Sequence, residues 1–148
     1  MKTESFSDLK KLSSQLPEKI PYLKMLVLFG SRARGDTHAK SDWDFAALYD
    51  EEIRKKMMGD NAFAWFEVPT GLGNIFQINS DIIDVVELNK SSPLLGFHVA
   101  RDGKLIYEKN SGDFVNFQMK AWKVYADTAK FRKSQRNSIE LWLQKKGV

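Results

Sequence analysis

The chain has 148 residues, 43% hydrophobic and 28% charged, with a net charge of +4 and no cysteine, which fits one globular domain and argues against disorder or a fibrous fold. Without cysteine there is no disulfide framework, thiolate metal site or cysteine nucleophile, so any metal must be held by oxygen or imidazole. No apolar run reaches the roughly 18 residues of a membrane span, and Met1-Lys2-Thr3-Glu4 lacks the apolar stretch of a signal peptide, which predicts a cytoplasmic protein without membrane contact.

Phe6, Leu9, Leu12 and Leu16 recur at helical spacing, predicting a helix over about residues 5–16 that Pro17 stops. "LKMLVLF", Leu23 to Phe29, reads as a strand buried on both faces and ending at Gly30. Gly30-Ser31 turns the chain, Arg32 to Arg34 makes one helical turn, and Gly35 to Ser41 is a polar loop. "DWDFAALY", Asp42 to Tyr49, is a second strand, with Trp43, Phe45, Ala47 and Tyr49 on one face and Asp42, Asp44, Ala46 and Leu48 on the other. Glu51 to about Phe66 predicts a helix open to interruption at Gly59-Asp60-Asn61. Residues 67–80, with Pro69, Gly71 and Gly73, read as irregular. "DIIDVVEL", Asp81 to Leu88, is a β-branched third strand. Ser91-Ser92-Pro93 starts a helix over Leu94 to Ala100 that ends at Asp102-Gly103, and "KLIYE" is a short strand ending at Glu108.

From about Gly112 the chain reads as helical, with Phe114, Phe117, Trp122, Tyr125, Ala129 and Phe131 at mainly three- and four-residue spacings. The alternation of elements gives an α/β (α+β) domain with a small central sheet, divided into a core over residues 1–110 and a helical extension over 111–148. From Lys120 to Val148 the net charge is +6. Such a run reads either as a solvated helix face or as a surface meeting phosphate or an acidic protein. Trp122, Tyr125, Phe131 and Trp142 beside those cations have the make-up of an interface, and equally that of a helix packing on its own sheet.

Asp42 and Asp44, two apart on a strand, project to one face with Cα atoms about 6 to 7 Å apart. Two carboxylates on a partly buried face repel each other and lose hydration unless a cation lies between them. Mg²⁺, a hard divalent ion with oxygen ligands, supplies that charge. A third carboxylate on a neighbouring strand completes a two-metal site for phosphoryl displacement. Asp84, inside "IIDVV", is the best candidate, because its apolar neighbours argue against a solvated surface role; Asp81 and Glu87, at the strand's ends, rank below it. Upstream, Gly30 and Ser31 bring backbone amides and a hydroxyl close to an anion, and Arg32 and Arg34 add charge-assisted contacts to a triphosphate. A lone Asp-x-Asp is usually an edge or turn feature, and a lone Gly-Ser is weaker still.

Their joint spacing is more specific: ten residues separate Ser31 from Asp42, giving Gly-Ser-x₁₀-Asp-x-Asp with a later acidic residue inside a strand. This resembles the signature of nucleotidyltransferases with a DNA-polymerase-β-like core, and "FGSRARG…SDWDF" is most similar to the minimal nucleotidyltransferase (MNT) group, over roughly residues 23 to 108. The resemblance implies the polymerase-β-like fold, a small mixed sheet flanked by helices with a helical C-terminal tail. It implies Gly30 and Ser31 on the nucleotide phosphates, Asp42, Asp44 and Asp84 as metal ligands for what are expected to be two Mg²⁺ ions, and Asp84 as activator of the attacking hydroxyl. Trp43 stands where the family has a small aliphatic residue, a departure that reshapes packing behind the site. The group resembles the antitoxin half of HEPN/MNT toxin–antitoxin pairs. An Mg²⁺-dependent transfer of AMP from ATP to a tyrosine of a cognate HEPN RNase toxin, within a hetero-oligomer and without need of nucleic acid, follows from that resemblance. Two other readings stand beside it: a non-catalytic module that neutralises by contact, and a nucleotidyltransferase acting on RNA or a small molecule.

Ser31 is not read as a covalent nucleophile, since neither His38 nor His98 is positioned by sequence to serve it. His38 is expected in solvent and His98 in the core or an interface. Lys40 and Arg101 have no assignment. Trp65, Phe66, Phe76 and Phe97 are expected in the core, with stacking of one of them on the nucleotide base as the alternative.

Overall fold

The computed structural model describes residues 5–35, 41–59, 61 and 64–147, without the side chains of 64 and 65. The readings made on His38, Lys40 and the Trp65 side chain lie outside the described residues. Four strands, β1 (Leu23–Phe29), β2 (Trp43–Tyr49), β3 (Ile83–Glu87) and β4 (Lys104–Glu108), form one sheet in the order β3-β2-β1-β4. The sheet is mixed: β1 runs antiparallel to β2 and β4, and β2 runs parallel to β3.

The alternation read from "DWDFAALY" is observed. Trp43, Phe45, Ala47 and Tyr49 enter a core under one face with Tyr22, Leu26 and Phe76, while Ala46 and Leu48 join Met25, Val27 and Val99 on the other. Both faces are therefore covered, as the near-continuous apolar run of β1 requires.

Helix α1 (Phe6–Leu12) starts at a capping box in which the Asp8 amide donates to the Ser5 hydroxyl at 3.4 Å and the Ser5 amide donates to the Asp8 carboxylate at 3.2 Å. Pro17 does not stop it. A 3₁₀ turn, Ser13–Gln15, leads into α2 (Leu16–Lys19), and Pro17 lies in that helix's first turn, where a missing N–H costs nothing. The helix expected from Glu51 is broken at Gly59 into α4 (Glu51–Met58) and α5 (Ala64–Phe76), following the single turn α3 (Ser31–Arg34).

Residues 67–80 depart most from their sequence reading, since Pro69, Gly71 and Gly73 all lie inside α5. Tertiary burial overrides local propensity here. Val68, Leu72, Ile75 and Phe76 form a helical stripe buried in the core. Gly73 serves close packing, since a Cβ there would stand 2.8 Å from the Ile78 carbonyl oxygen, whereas a Cβ on Gly71 would make an ordinary contact with Ile20 Cδ1 at 3.6 Å. Phe76 is buried as expected, but Phe66 is 49% exposed, because it lies on the side of α5 away from that stripe.

A 3₁₀ turn, Ser80–Ile82, precedes β3, and α6 (Pro93–Asp102) is capped by Ser92, whose hydroxyl accepts from the Leu95 amide at 3.2 Å. Helix α6 packs on α7 (Asp113–Asp127), and α8 (Ala129–Lys145) follows after a break at Thr128. None of the residues of α8 is buried, and Phe131, Ile139, Leu141 and Trp142 are more than half exposed. Phe97, partly buried, stacks on Tyr125 with ring centroids 4.0 Å apart. Among the described residues no helix is long and apolar enough to cross a membrane.

Candidate functional site

The end of β1 and the starts of β2 and β3 meet at one edge of the sheet. Phe29 pairs with Asp44 across the antiparallel ladder, and Asp44 pairs with Asp84 across the parallel one. Neighbouring strands lie about 4.8 Å apart, so two carboxylate-bearing residues stand side by side on one face. Asp42 lies just before the first paired residue of β2 and is exposed. Asp84 is exposed as well, contrary to the expectation from its apolar neighbours. The reason is topological: β3 is an edge strand, and Ile83 and Val85 turn to the opposite, core-covered face.

Gly30 is held against this pair. Its backbone has φ 73° and ψ −157°, a conformation side-chain-bearing residues rarely adopt, and a Cβ there would collide with Asp44 Oδ2 and lie 3.1 Å from Cγ. The glycine is thus required by the carboxylate beside it, independently of any ligand. Its carbonyl accepts from the amides of Ala33 and Arg34, each at 3.1 Å, which folds Ser31–Arg34 into the expected turn, and Gly35 closes it with φ 84°.

Burial raises the Asp44 pKa above the ordinary carboxyl value; the negative charges of Asp84 and Asp42 raise it further, and Arg34 opposes them. The two companions therefore act on Asp44 through space, and Arg34 is the cation placed to balance it. Arg34 also faces Asp102 at the end of α6, whose pKa is lowered chiefly by its hydrogen bond with Arg101. Arg101 donates to Asp102 at 2.9 and 2.8 Å and lies 3.1 Å from His98 Nδ1, so His98 and Arg101 belong to a polar patch next to the carboxylates. The sequence offers no periodic signal for that neighbourhood, which the packing of α6 creates.

Arg32 is engaged elsewhere. Its Nε and Nη2 both donate to the Ser41 carbonyl, at 3.1 and 2.7 Å, and its guanidinium lies 4.0 Å from the centre of the Trp43 ring. Asp81 sits exposed in the 3₁₀ turn before β3, and Glu87 lies at the far end of the sheet, bonded to Arg54 at 3.0 Å.

The donors at this edge are all oxygens, the set a hard divalent cation takes, and the pKa of Asp44, raised by burial first and by its carboxylate neighbours second, reflects a cost of negative charge that such a cation relieves. Among the described residues, however, no three carboxylate or imidazole groups stand close enough to enclose an ion. The residues fit magnesium in chemistry and in backbone register, without a preassembled cage.

A family model for the polymerase beta nucleotidyltransferases matches residues 10–112. A protein adenylyltransferase MntA from Aphanizomenon flos-aquae is 49% identical over 147 residues, 99% of this chain and 98% of its own length. Among solved structures, a toxin–antitoxin complex with AMP-PNP superposes with a TM-score of 0.66 at 24% identity, over 93% of this chain and 99% of that one. A complex of a tri-AMPylated Shewanella oneidensis HEPN toxin with its MNT antitoxin gives a TM-score of 0.61 at 22% identity, over 90% of this chain and 97% of the other. At these identities the structural likenesses establish the shared fold.

Proposed function

Because the chain belongs to the polymerase beta nucleotidyltransferase family, we propose that it transfers AMP from ATP to a tyrosine hydroxyl of a cognate HEPN toxin and thereby silences it as the antitoxin of the pair. The observation that carries this reading is the register pairing of Asp44 with Asp84 beside Gly30. The 49% identity to a protein adenylyltransferase selects a protein as acceptor.

Asp42, Asp44 and Asp84 would hold magnesium, expected as two ions; when bound, it neutralises the carboxylates and the charge developing on the phosphates. Gly30 and Ser31 bring backbone and hydroxyl against the phosphates without a bulky side chain between, and Arg34 adds positive charge. Asp84, the most accessible of the paired carboxylates, takes the proton of the attacking hydroxyl. The tyrosine oxygen then bonds to the α-phosphorus, the bond from that phosphorus to pyrophosphate breaks, and pyrophosphate leaves.

The exposed apolar residues of α8, rimmed by lysines and arginines, are the proposed contact with the toxin in a hetero-oligomer, and the extension over 111–148 is then a docking element on the core. The system acts in the cytoplasm, where ATP and the toxin's RNA targets are found.

The test is co-incubation of the purified chain and its HEPN partner with Mg²⁺ and ATP labelled at the α-phosphate. Label in the partner's tyrosine supports the proposal; label appearing instead in added RNA or an aminoglycoside selects the other transferase reading. Full neutralisation without any incorporation selects neutralisation by contact.

A further inference from the structure

We propose that Arg32, seated on Trp43, is a positioning residue that fixes the backbone leading into Asp42, and not a ligand of the nucleotide phosphates. Asp42 precedes the paired part of β2, so the sheet ladder does not hold it. The residue on one side of it, Trp43, is in the ladder and only 4% exposed. The residue on its other side, Ser41, has its carbonyl clamped by two guanidinium N–H groups of Arg32, at 3.1 and 2.7 Å.

The clamp is itself anchored. The guanidinium carbon lies over the Trp43 ring, 4.0 Å from its centre. The Trp43 ring stacks on Phe45 at 6.4 Å and 9°, and Phe45 on Phe76 at 5.7 Å and 21°, so the stack is rooted in the core. Trp43 and Asp44 project to opposite faces of β2, which commits the guanidinium to the side away from the Asp44 carboxylate. Arg32 is nonetheless close enough to Asp42 that the carboxylate holds its pKa up against the larger, lowering effect of burial.

A planar fork that donates twice to one carbonyl while stacking on an indole is a task lysine cannot perform. The tryptophan that departs from the family's small aliphatic residue thereby gains a function, as the platform of the clamp.

The inference rests on the proposed role of Asp42 as a metal ligand, and the experiment separates the two. Mn²⁺ binding to the full chain is measured at saturating non-hydrolysable ATP analogue for the parent, Arg32→Lys, Trp43→Leu, the double variant and Asp42→Asn. Binding of the analogue is measured separately without metal, and amide exchange is followed at Ser41 and Asp42. Arg32→Lys is expected to weaken Mn²⁺ binding by about 10- to 100-fold, the usual loss when a support behind a metal ligand is removed. Amide exchange at Asp42 rises, affinity for the metal-free analogue stays within about twofold, and the double variant falls no further than the weaker single one. Unchanged Mn²⁺ binding in Arg32→Lys, with weakened analogue binding, would make Arg32 a phosphate ligand and overturn the inference. Unchanged Mn²⁺ binding in Asp42→Asn would remove the metal role of Asp42, and the inference with it, whatever Arg32→Lys does. Trp43→Phe, which keeps a ring beneath the guanidinium, retains Mn²⁺ binding better than Trp43→Leu if the stack matters, and equally if the inference is wrong.

Discussion

The two ends of the β2–β3 ladder treat negative charge in opposite ways. At one end Asp44 and Asp84 are paired across the strands with Asp42 nearby, and among the described residues neither side chain of the pair makes a hydrogen bond or ion pair, Arg34 acting on Asp44 only through space. At the other, Ala47 pairs with Glu87, whose carboxylate meets Arg54 at 3.0 Å and faces Lys90 at 3.9 Å. Arg54 in turn lies 4.4 Å from the Tyr49 ring centre. Asn89 extends the ladder there by donating to the Tyr49 carbonyl and accepting from its amide, both at 2.9 Å. Charge at that end is met within the chain through Glu87 Oε1 and Arg54, while the buried Glu87 Oε2 makes no hydrogen bond among the described residues and has only Lys90 at 3.9 Å. At the carboxylate end, burial and the neighbouring carboxylates raise the Asp44 pKa and Arg34 opposes them only in part.

Breaking the carboxylate end should produce the largest effect. Asp44→Asn or Asp84→Asn is expected to lower AMP transfer by at least about a hundredfold, since losing several kcal/mol of charge stabilisation costs tenfold per 1.4 kcal/mol. Glu87→Gln, at the other end of the ladder, stays within about twofold in the same initial-rate assay.

Stability should respond at both ends. Gly30→Ala combines a strained φ with a collision against Asp44, and urea denaturation should show a loss of about 1–3 kcal/mol. Arg54→Met leaves Glu87 half-buried without its main partner and is expected to cost about 1–2 kcal/mol in the same measurement, the site being too exposed for the full cost of a buried pair.

Asp44→Asn sharpens the contrast through pH. A carboxyl whose folded pKa is raised holds its proton more tightly when folded, so stability falls as pH rises from the ordinary carboxyl value, about 3.9, through the raised one. The variant lacks that loss. Its melting temperature should exceed the parent's at pH 7, and the gap should close as pH falls to the ordinary carboxyl value. Added magnesium should stabilise the parent and leave the variant unmoved.

Much of this contrast was legible in the residues. The period-two alternation of "DWDFAALY" assigned the apolar β2 side chains to their observed faces, because successive side chains of a strand point to opposite sides of the sheet. Gly30 and the single turn after it were readable from the punctuation of the chain. Residues 67–80 were not, since Pro69, Gly71 and Gly73 signal a break that the buried stripe of α5 and its contacts with Ile20 and Ile78 outweigh. The solvent exposure of Asp84 was hidden for a related reason: "IIDVV" describes a buried environment, whereas strand order, which no local pattern encodes, puts β3 at the edge. The engagement of Arg32 with Trp43 depends on a side-chain stack, and the Arg34–Asp102 approach on how α6 lies across the sheet. Spacing alone carries neither.

The most direct test is intact-mass spectrometry of the HEPN partner after incubation with Mg²⁺, ATP and either the parent chain, Asp84→Asn or Glu87→Gln. AMP additions are expected with the parent and with Glu87→Gln, and none with Asp84→Asn. Modification by Asp84→Asn as complete and as fast as by the parent would contradict this expectation.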